Sequence, residues 1–140
     1  MSESTPLLLD THAAVWIVED QPIASEAARA IDTAYEAGSA VFVSAISAWE
    51  IGLLVSRNRL SLVARPERWF QRLLGVPGVQ LADLSPDILI ASSFLPGTPP
   101  RDPADRIILA TARELGATLV TRDSLLLKYG EDGQVSTIPC

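Results

Sequence analysis

Two acidic residues stand at the points where predicted buried strands end. Asp10 directly follows the apolar run 7–9, and Asp123 lies two residues beyond Thr121, the last residue of the run 117–121. The carboxyl ends of the strands in an open parallel sheet face one crevice, and ligands bind there. We therefore expect the two carboxylates to point at a common place.

Two further acids lie on predicted helix faces that are otherwise apolar. Glu50 shares its face with Leu54, and Asp105 shares its face with Leu109, four residues further along in each helix. An unpaired buried carboxylate costs several kcal/mol, so a charged residue in an apolar stripe is seldom without a partner. We expect both side chains to turn inward, towards the same site as the first pair.

These four carboxylates have the chemistry of a metal-dependent hydrolase. Carboxylates held together without His or Cys need a hard cation, because like charges at close range cannot all stay ionised otherwise. Oxygen ligands that leave room for water suit Mg²⁺, with Mn²⁺ as a substitute. Such an ion activates water and neutralises charge on a phosphoryl group, so the implied reaction is hydrolysis of a phosphodiester bond.

Each acid also has a purely structural explanation. Asp10 and Asp123 could be turn residues. Asp105 could be a first-turn charge on its helix dipole, and Glu50 could be half of a capping box with Ser47. For any one residue the two explanations are equally good. Their occurrence together, at strand ends and on inward helix faces, favours a shared site.

The elements that must position these acids alternate between strands and helices. Short apolar runs predict strands over 7–9, 41–43, 79–82, 117–121 and 135–138, the last of them at an edge. Helical spacing and capping residues predict helices over 12–18, 25–38, from 44–47 to 56, 66–74, 85–94, 102–116 and 124–129. This alternation predicts an α/β fold in one domain over 1–140, with a central parallel sheet flanked by helices on both faces.

Composition narrows the class of protein. The chain has 140 residues, which suits a single compact domain, and a formal net charge of -6. That acidity argues against a broad phosphate-binding surface, since nonspecific binding to nucleic acid needs Lys and Arg. Four of the negative charges belong to the candidate site, however, so the rest of the chain is near -2 and a local RNA site is compatible with it.

Cysteine usage and the N-terminus indicate an unexported protein. The single cysteine, Cys140, excludes a disulfide framework and a Cys-type zinc site. No apolar run approaches the ~20 residues of a transmembrane helix. The start MSESTP has neither the basic region nor the apolar core of an export signal. We expect a cytoplasmic protein without a membrane partner.

One segment of the chain is basic. Residues 57–72 carry five arginines against one glutamate, a net +4. A solvated helix face explains such a run on base rates, and a rim that guides phosphates is the functional alternative. Trp69 lies among these arginines and is a candidate for stacking on a base. The candidate nucleic-acid contacts are thus Arg57, Arg59, Arg65, Arg68, Trp69 and Arg72.

Other residues that could do chemistry have better structural interpretations. His12, the only histidine, starts a helix among apolar neighbours and is better read as a structural residue than as a general base. Trp16 and Trp49 are scattered in helices, and such tryptophans usually belong to the core.

Four segments together resemble the PIN-domain family and, within it, the VapC-type toxins of bacterial toxin-antitoxin pairs. In chain order they are LLLDTHAAVW with Asp10, SAISAWEI with Glu50, RDPADRIILATA with Asp105, and LVTRD with Asp123. A lone Asp after a strand is weak evidence, but four segments in order over nearly the whole chain are specific. The resemblance implies a PIN fold and an Mg²⁺-dependent endoribonuclease that uses these four acids.

The same resemblance implies partners and finer roles. It implies a homodimer, or a hetero-tetramer or larger assembly with a VapB-type antitoxin that occludes the acidic groove. It makes Asp10 and Asp105 the closest metal ligands, with Glu50 and Asp123 as further or water-mediated ligands. Thr121 is then expected to orient the fourth acid or a water.

Two positions near Asp105, namely Pro100 and Asp102, bear on how far the resemblance extends. Family alignments place two acids three residues apart near Asp105, but Asp102 precedes a proline and is better interpreted as a helix cap. Members of the VapC subgroup often have a His before the Arg-Asp-Pro segment, where this chain has Pro100. That difference concerns substrate contacts more than metal binding.

Alternative functions stay open from the sequence. A phosphatase of the haloacid-dehalogenase type also begins with an Asp after a strand, but it needs a second Asp two residues later, where this chain has His12. A receiver domain would need a paired Asp and a late lysine, and Lys128 is the only lysine. A catalytically silent PIN-like module that only binds its partner is the third alternative.

Overall fold

The five strands within the described part of the chain form one parallel sheet. The computed structural model describes residues 5–140, and its strands are β1 (Leu7–Leu9), β2 (Val41–Ser44), β3 (Val79–Ala82), β4 (Thr118–Thr121) and β5 (Thr137–Pro139). They lie side by side in the order β3-β2-β1-β4-β5, and every neighbouring pair is parallel. The predicted parallel sheet is confirmed.

Helices cover both faces of this sheet. They are α1 (Thr11–Val18), α2 (Ser25–Ala37), α3 (Ala45–Ser56), α4 (Pro66–Leu74), α5 (Pro86–Ala91), α6 (Pro103–Leu115) and α7 (Ser124–Glu131). Alternate residues of a strand point to opposite faces. Leu7 and Leu9 accordingly join one core cluster with residues of α1, α2 and α4, and Leu8 joins a second cluster with residues of α6 and α7.

The strand order places a crevice beside the central strand. From β1 the chain winds to β2 and β3 on one side, and then returns to β4 and β5 on the other. The carboxyl ends of β1 and β4 are therefore neighbours, with Leu9 paired to Val120 and the Asp10 amide donating to the Val120 carbonyl at 2.9 Å. Ligands of open α/β sheets bind at such a reversal point.

Helix α5 is shorter than predicted. The predicted helix ran to residue 94, but α5 ends at Ala91. Phe94, in the missing turn, is 80% exposed, so no apolar contact holds that turn against the core. The other predicted helices and strands are present with ends shifted by a few residues.

The longest described helices, α2 and α6, have 13 residues each. Among residues 5–140, no helix is both long and apolar enough to cross a membrane. Residues 1–4, which belong to the segment expected to lack an export signal, lie outside the described part of the chain.

Candidate active site

Asp10 is fixed by two hydrogen bonds at the end of the central strand. It caps α1, and its Oδ1 accepts from the Thr11 amide at 2.8 Å. Its Oδ2 accepts from the Thr121 hydroxyl at 2.7 Å. Each carboxylate oxygen has two lone pairs, so both oxygens retain one for a ligand. The cap and the ligand interpretations of Asp10 are therefore compatible.

Thr121 connects Asp10 to Asp123. Its side chain is fully buried, and its hydroxyl donates to Asp10 while accepting from the Asp123 amide at 3.0 Å. Asp123 in turn caps α7, because its Oδ1 accepts from the amides of Leu125 and Leu126 at 2.9 and 3.0 Å. The ends of β1 and β4 are thus joined through one hydroxyl.

Glu50 is held by a different threonine. Its Oε1 accepts from the Thr11 hydroxyl at 2.7 Å, and that hydroxyl also lies 2.8 Å from the Ser47 hydroxyl. Thr11 and Ser47 are both buried. The predicted capping box is wrong, because α3 is capped by Ser44, so Ser47 lies inside the helix and orients Thr11 instead.

Asp105 lies in the first turn of α6. Asp102 caps this helix, as predicted, by accepting from the Asp105 amide at 3.0 Å. Asp105 is half-buried and accepts no hydrogen bond from a side chain within residues 5–140. Its carboxylate is therefore the least compensated of the four predicted acids.

One open cavity brings the four predicted acids together. Its volume is about 490 Å³. We call it the acid cavity, and its lining residues are Asp10, His12, Trp16, Glu50, Asp102, Asp105, Arg122 and Asp123. As the side chains stand, no three Asp, Glu, His or Cys groups within residues 5–140 are close enough together to hold a metal ion. Asp10 and Asp123 each direct one carboxylate oxygen at the amides that they cap.

Three carboxyl groups of the acid cavity have a raised pKa, and burial is the main cause in each. Burial, and after it the neighbouring carboxylates of Asp102 and Asp123, together raise the pKa of Asp105 to about 7. Burial also raises the pKa of Asp10 against the opposing hydrogen bond from Thr121. It raises the pKa of Glu50 in the same way, against the hydrogen bond from Thr11. The acids are thus electrostatically coupled, and ionising all of them costs free energy.

We predict that Asp105→Asn stabilises the protein when no divalent ion is present. The pKa of Asp105 is higher in the fold than in the unfolded chain, so its contribution to stability is lost as pH rises from about 4 to about 7. At about pH 8 we expect the variant to gain about 1–2 kcal/mol, a value reduced for solvent screening of a half-exposed group. Urea unfolding in EDTA at about pH 5 and about pH 8 measures this.

A matched control comes from the same helix. Glu114 is exposed on α6 and does not line the acid cavity, so Glu114→Gln removes an equal charge and should leave the pH dependence unchanged. If Asp105→Asn loses stability with rising pH as steeply as the wild type, then the repulsion assigned to Asp105 is absent.

The prediction that Trp69 stacks on a base is wrong. Its side chain is 0% exposed and packs in the core with Leu73, four residues on in α4. The amphipathic pattern of α4 explains the placement, because the helix buries Trp69 and Leu73 and exposes its arginines. Trp49, expected in the core, is instead 58% exposed, while Trp16 is half-buried and lines the acid cavity.

The basic segment does not reach the acid cavity. All five of its arginines are exposed, and none is among the residues that line the acid cavity. Arg65 forms an exposed ion pair with Glu67 at 3.4 Å, which is worth little in water. Arg57, Arg59, Arg65, Arg68 and Arg72 therefore stay a prediction as RNA contacts.

The lining residues that were not predicted as parts of the site are His12, Trp16, Asp102 and Arg122. His12, interpreted as a structural residue, is exposed in the lining. Arg122 lies between Thr121 and Asp123, so its position beside a strand-end acid was the available signal. Asp102 combines its capping role with a place in the lining. Trp16 lies in α1, the helix that Asp10 caps.

Known proteins are similar to this chain in sequence and in fold. The chain is 37% identical over 126 residues to Ribonuclease VapC22 of Mycobacterium tuberculosis, and this match covers 89% of this chain and 92% of that protein. The fold is similar to that of VapBC2 from Rickettsia felis bound to a DNA fragment from its promoter, with a TM-score of 0.65, 16% identity and coverage of 96% and 98% of the two chains.

A second solved structure has the same fold. It is FitAB bound to the IR36 DNA fragment, with a TM-score of 0.60, 21% identity and coverage of 95% of this chain and 94% of that one. At such identities these structures show the fold alone. The model of the PIN domain family matches residues 7–132, which include all four acids of the sequence prediction. This chain belongs to the PIN domain family.

Proposed function

We propose that this protein is a metal-dependent endoribonuclease and the toxin of a type II toxin-antitoxin pair. The observation that carries the proposal is that four acids from four separate segments line one cavity at the reversal point of the sheet. The identity with Ribonuclease VapC22 over most of both chains supports RNA as the substrate. We further propose one domain over 1–140 and a cytoplasmic setting.

The acids of the cavity suit a divalent cation. The candidate metal ligands are all carboxylate oxygens. A bound cation would relieve the repulsion between these carboxylates. Asp10 and Asp105 would hold Mg²⁺, or Mn²⁺ as a substitute, with Glu50 and Asp123 as further or water-mediated ligands. When bound, such an ion lowers the pKa of its water and neutralises charge on a phosphoryl group.

The protein's own contribution is to hold these carboxylates in place. Thr121 orients Asp10 and the Asp123 backbone, and Thr11 orients Glu50. Three of the hydrogen-bonding side chains, Thr11, Ser47 and Thr121, are buried and so have few other rotamers. Carboxylates that are fixed before substrate arrives need little reorganisation during the reaction.

Metal removal tests the proposed activity. The purified protein should cut total cellular RNA into discrete fragments in the presence of Mg²⁺, lose this activity in EDTA, and regain it when excess Mg²⁺ or Mn²⁺ is added. Cleavage that persists unchanged in EDTA would contradict a metal-dependent mechanism. No cleavage by a folded protein under any of these conditions would favour the catalytically silent PIN module.

We predict that Thr121→Val lowers the cleavage rate by about 10- to 100-fold, as is usual for residues that orient metal ligands. The valine keeps the shape but removes the donor to Asp10 and the acceptor for the Asp123 amide. Thr121→Ser is the matched control, because it keeps the hydroxyl and should retain most of the activity. A Thr121→Val protein that cleaves at the wild-type rate would remove this residue from the site.

The acid cavity also suits an inhibitor with a basic side chain. Five carboxylates line it, so a Lys or Arg of an antitoxin could occupy it and block the ion and the RNA together. We propose that the toxin forms a homodimer and that a VapB-type antitoxin binds it in a hetero-tetramer or larger complex. Expression without the antitoxin should arrest growth, and co-expression should restore it; harmless expression of folded, RNA-cutting protein would contradict the toxin role.

A further inference from the structure

Arg122 is held rigidly at the edge of the acid cavity. Its guanidinium carbon lies 3.8 Å from the centre of the Trp16 ring. Its Nη2 donates to the backbone oxygen of Cys140 at 3.1 Å and, more weakly, to that of Pro22 at 3.4 Å. An arginine that stacks on an aromatic face and donates to backbone oxygens has lost most of its rotamer freedom before any ligand binds.

No Asp or Glu side chain among the described residues neutralises the charge of Arg122. The ion pair within residues 5–140 is Arg65 with Glu67, so Arg122 pairs with no Asp or Glu side chain there, although five carboxylates line the same cavity. Both of its hydrogen bonds leave from Nη2. Its Nη1 and Nε donors have no partner in the described residues and are available to a ligand.

We propose that Arg122 binds a backbone phosphate of the RNA strand at the edge of the acid cavity. An RNA strand that approaches five carboxylates is repelled, and Arg122 is the one permanently cationic side chain among the lining residues. The unpartnered Nε and Nη1 donors lie on different edges of the guanidinium, so each can donate one charge-assisted hydrogen bond to a phosphate oxygen. This role rests on the proposed function and names Arg122, rather than the basic segment, as the phosphate contact closest to the acids.

The competing explanation is purely structural. The hydrogen bonds of Arg122 tie the backbone near Cys140 and Pro22 to the end of β4, and Ala24 also donates to the Cys140 oxygen at 2.8 Å. A tether of this kind affects the stability of the fold. It has no reason to change how cleavage depends on salt, which reports the number of phosphates that the protein neutralises.

The test is the salt dependence of RNA cleavage by Arg122→Gln. Total cellular RNA is the substrate, and the rate constant kcat/KM for one wild-type cleavage product is measured at several salt concentrations. We expect kcat/KM to fall about 10- to 100-fold, mainly through KM, because a hydrogen bond to a charged group is lost. The slope of log kcat/KM against log salt should become shallower by about 0.7, the value for one phosphate of a single strand.

Two further variants separate charge from structure. Arg122→Lys keeps the charge without the guanidinium fork, so it should retain the wild-type salt slope while its KM rises less. Arg29→Gln removes an equal charge from the exposed face of α2, away from the acid cavity, and should leave KM and the slope unchanged. Thermal unfolding of each protein shows whether any loss of rate comes from a lower folded fraction.

The outcomes distinguish the two proposals. If Arg122→Gln cleaves RNA with the wild-type kcat/KM and the wild-type salt slope, the phosphate contact is overturned. Arg122 then has only its structural role, and the proposed nuclease activity is unaffected. A slope that changes as much in Arg29→Gln would overturn the phosphate contact too, because the effect would then be one of net charge. A folded wild-type protein that cuts no RNA would overturn the nuclease and this role of Arg122 with it.

Discussion

Replacing Asp10 with asparagine should lower RNA cleavage by about a thousandfold or more while the protein stays folded. Asparagine keeps the shape of the side chain and one carbonyl oxygen, which can still accept from the Thr11 amide to cap α1. The charge that would hold a cation at the end of β1 is lost. Initial cleavage rates with Mg²⁺ measure the loss of activity, and a far-UV circular dichroism spectrum shows whether the protein stays folded.

The fold should tolerate this change because the negative charge of Asp10 does not stabilise it. Burial raises the pKa of Asp10, so its ionised form is disfavoured in the fold without a cation. Asp32→Asn is the matched control: Asp32 is exposed on α2 and absent from the acid cavity, so its variant should cleave at the wild-type rate. Asp10→Asn protein that still cuts RNA at that rate would show that the assigned site is wrong.

Replacing Trp69 with alanine should reduce the free energy of unfolding by about 3–5 kcal/mol. Trp69 is the largest fully buried side chain, and its removal leaves a cavity in the core cluster beneath α4. Since small domains are stable by only about 5–15 kcal/mol, this is a large share of the total. Urea unfolding measures the loss, and RNA cleavage per folded molecule should be unchanged.

Two variants make this prediction specific. Trp49→Ala removes a tryptophan that is 58% exposed and should cost well under 1 kcal/mol. Trp69→Phe should cost less than Trp69→Ala, because the ring is partly kept and the indole N–H, which has no partner within the described residues, is removed. Equal losses of stability in Trp49→Ala and Trp69→Ala would contradict the burial assigned to Trp69.

The sequence predicted the acids of the site because their positions follow from local rules. Strand ends are visible as apolar runs, and parallel strands bring their carboxyl ends to one edge, so Asp10 and Asp123 could be placed together. The inward faces of α3 and α6 were visible from helical spacing, which brought in Glu50 and Asp105. These inferences needed no knowledge of distant contacts.

The supporting contacts could not be read in the same way. Thr11 and Glu50 are 39 residues apart, and Thr121 and Asp10 are 111 apart, so only the folded chain shows that these hydroxyls hold the acids. Trp69 is a different case, because Leu73 four residues later already marked the buried face of α4. The cluster of arginines suggested a surface, whereas the spacing of the two apolar residues indicated the core.

The location of a bound divalent ion would show directly whether the acid cavity is a metal site. Crystals of the protein grown or soaked with Mn²⁺, at a concentration that supports RNA cleavage, can be examined by anomalous scattering at the manganese edge. The proposed metal site requires an anomalous peak in the acid cavity, next to Asp10 and Asp105, that is absent from Asp10→Asn crystals. A wild-type cavity without manganese, or manganese bound elsewhere on an active protein, would contradict it.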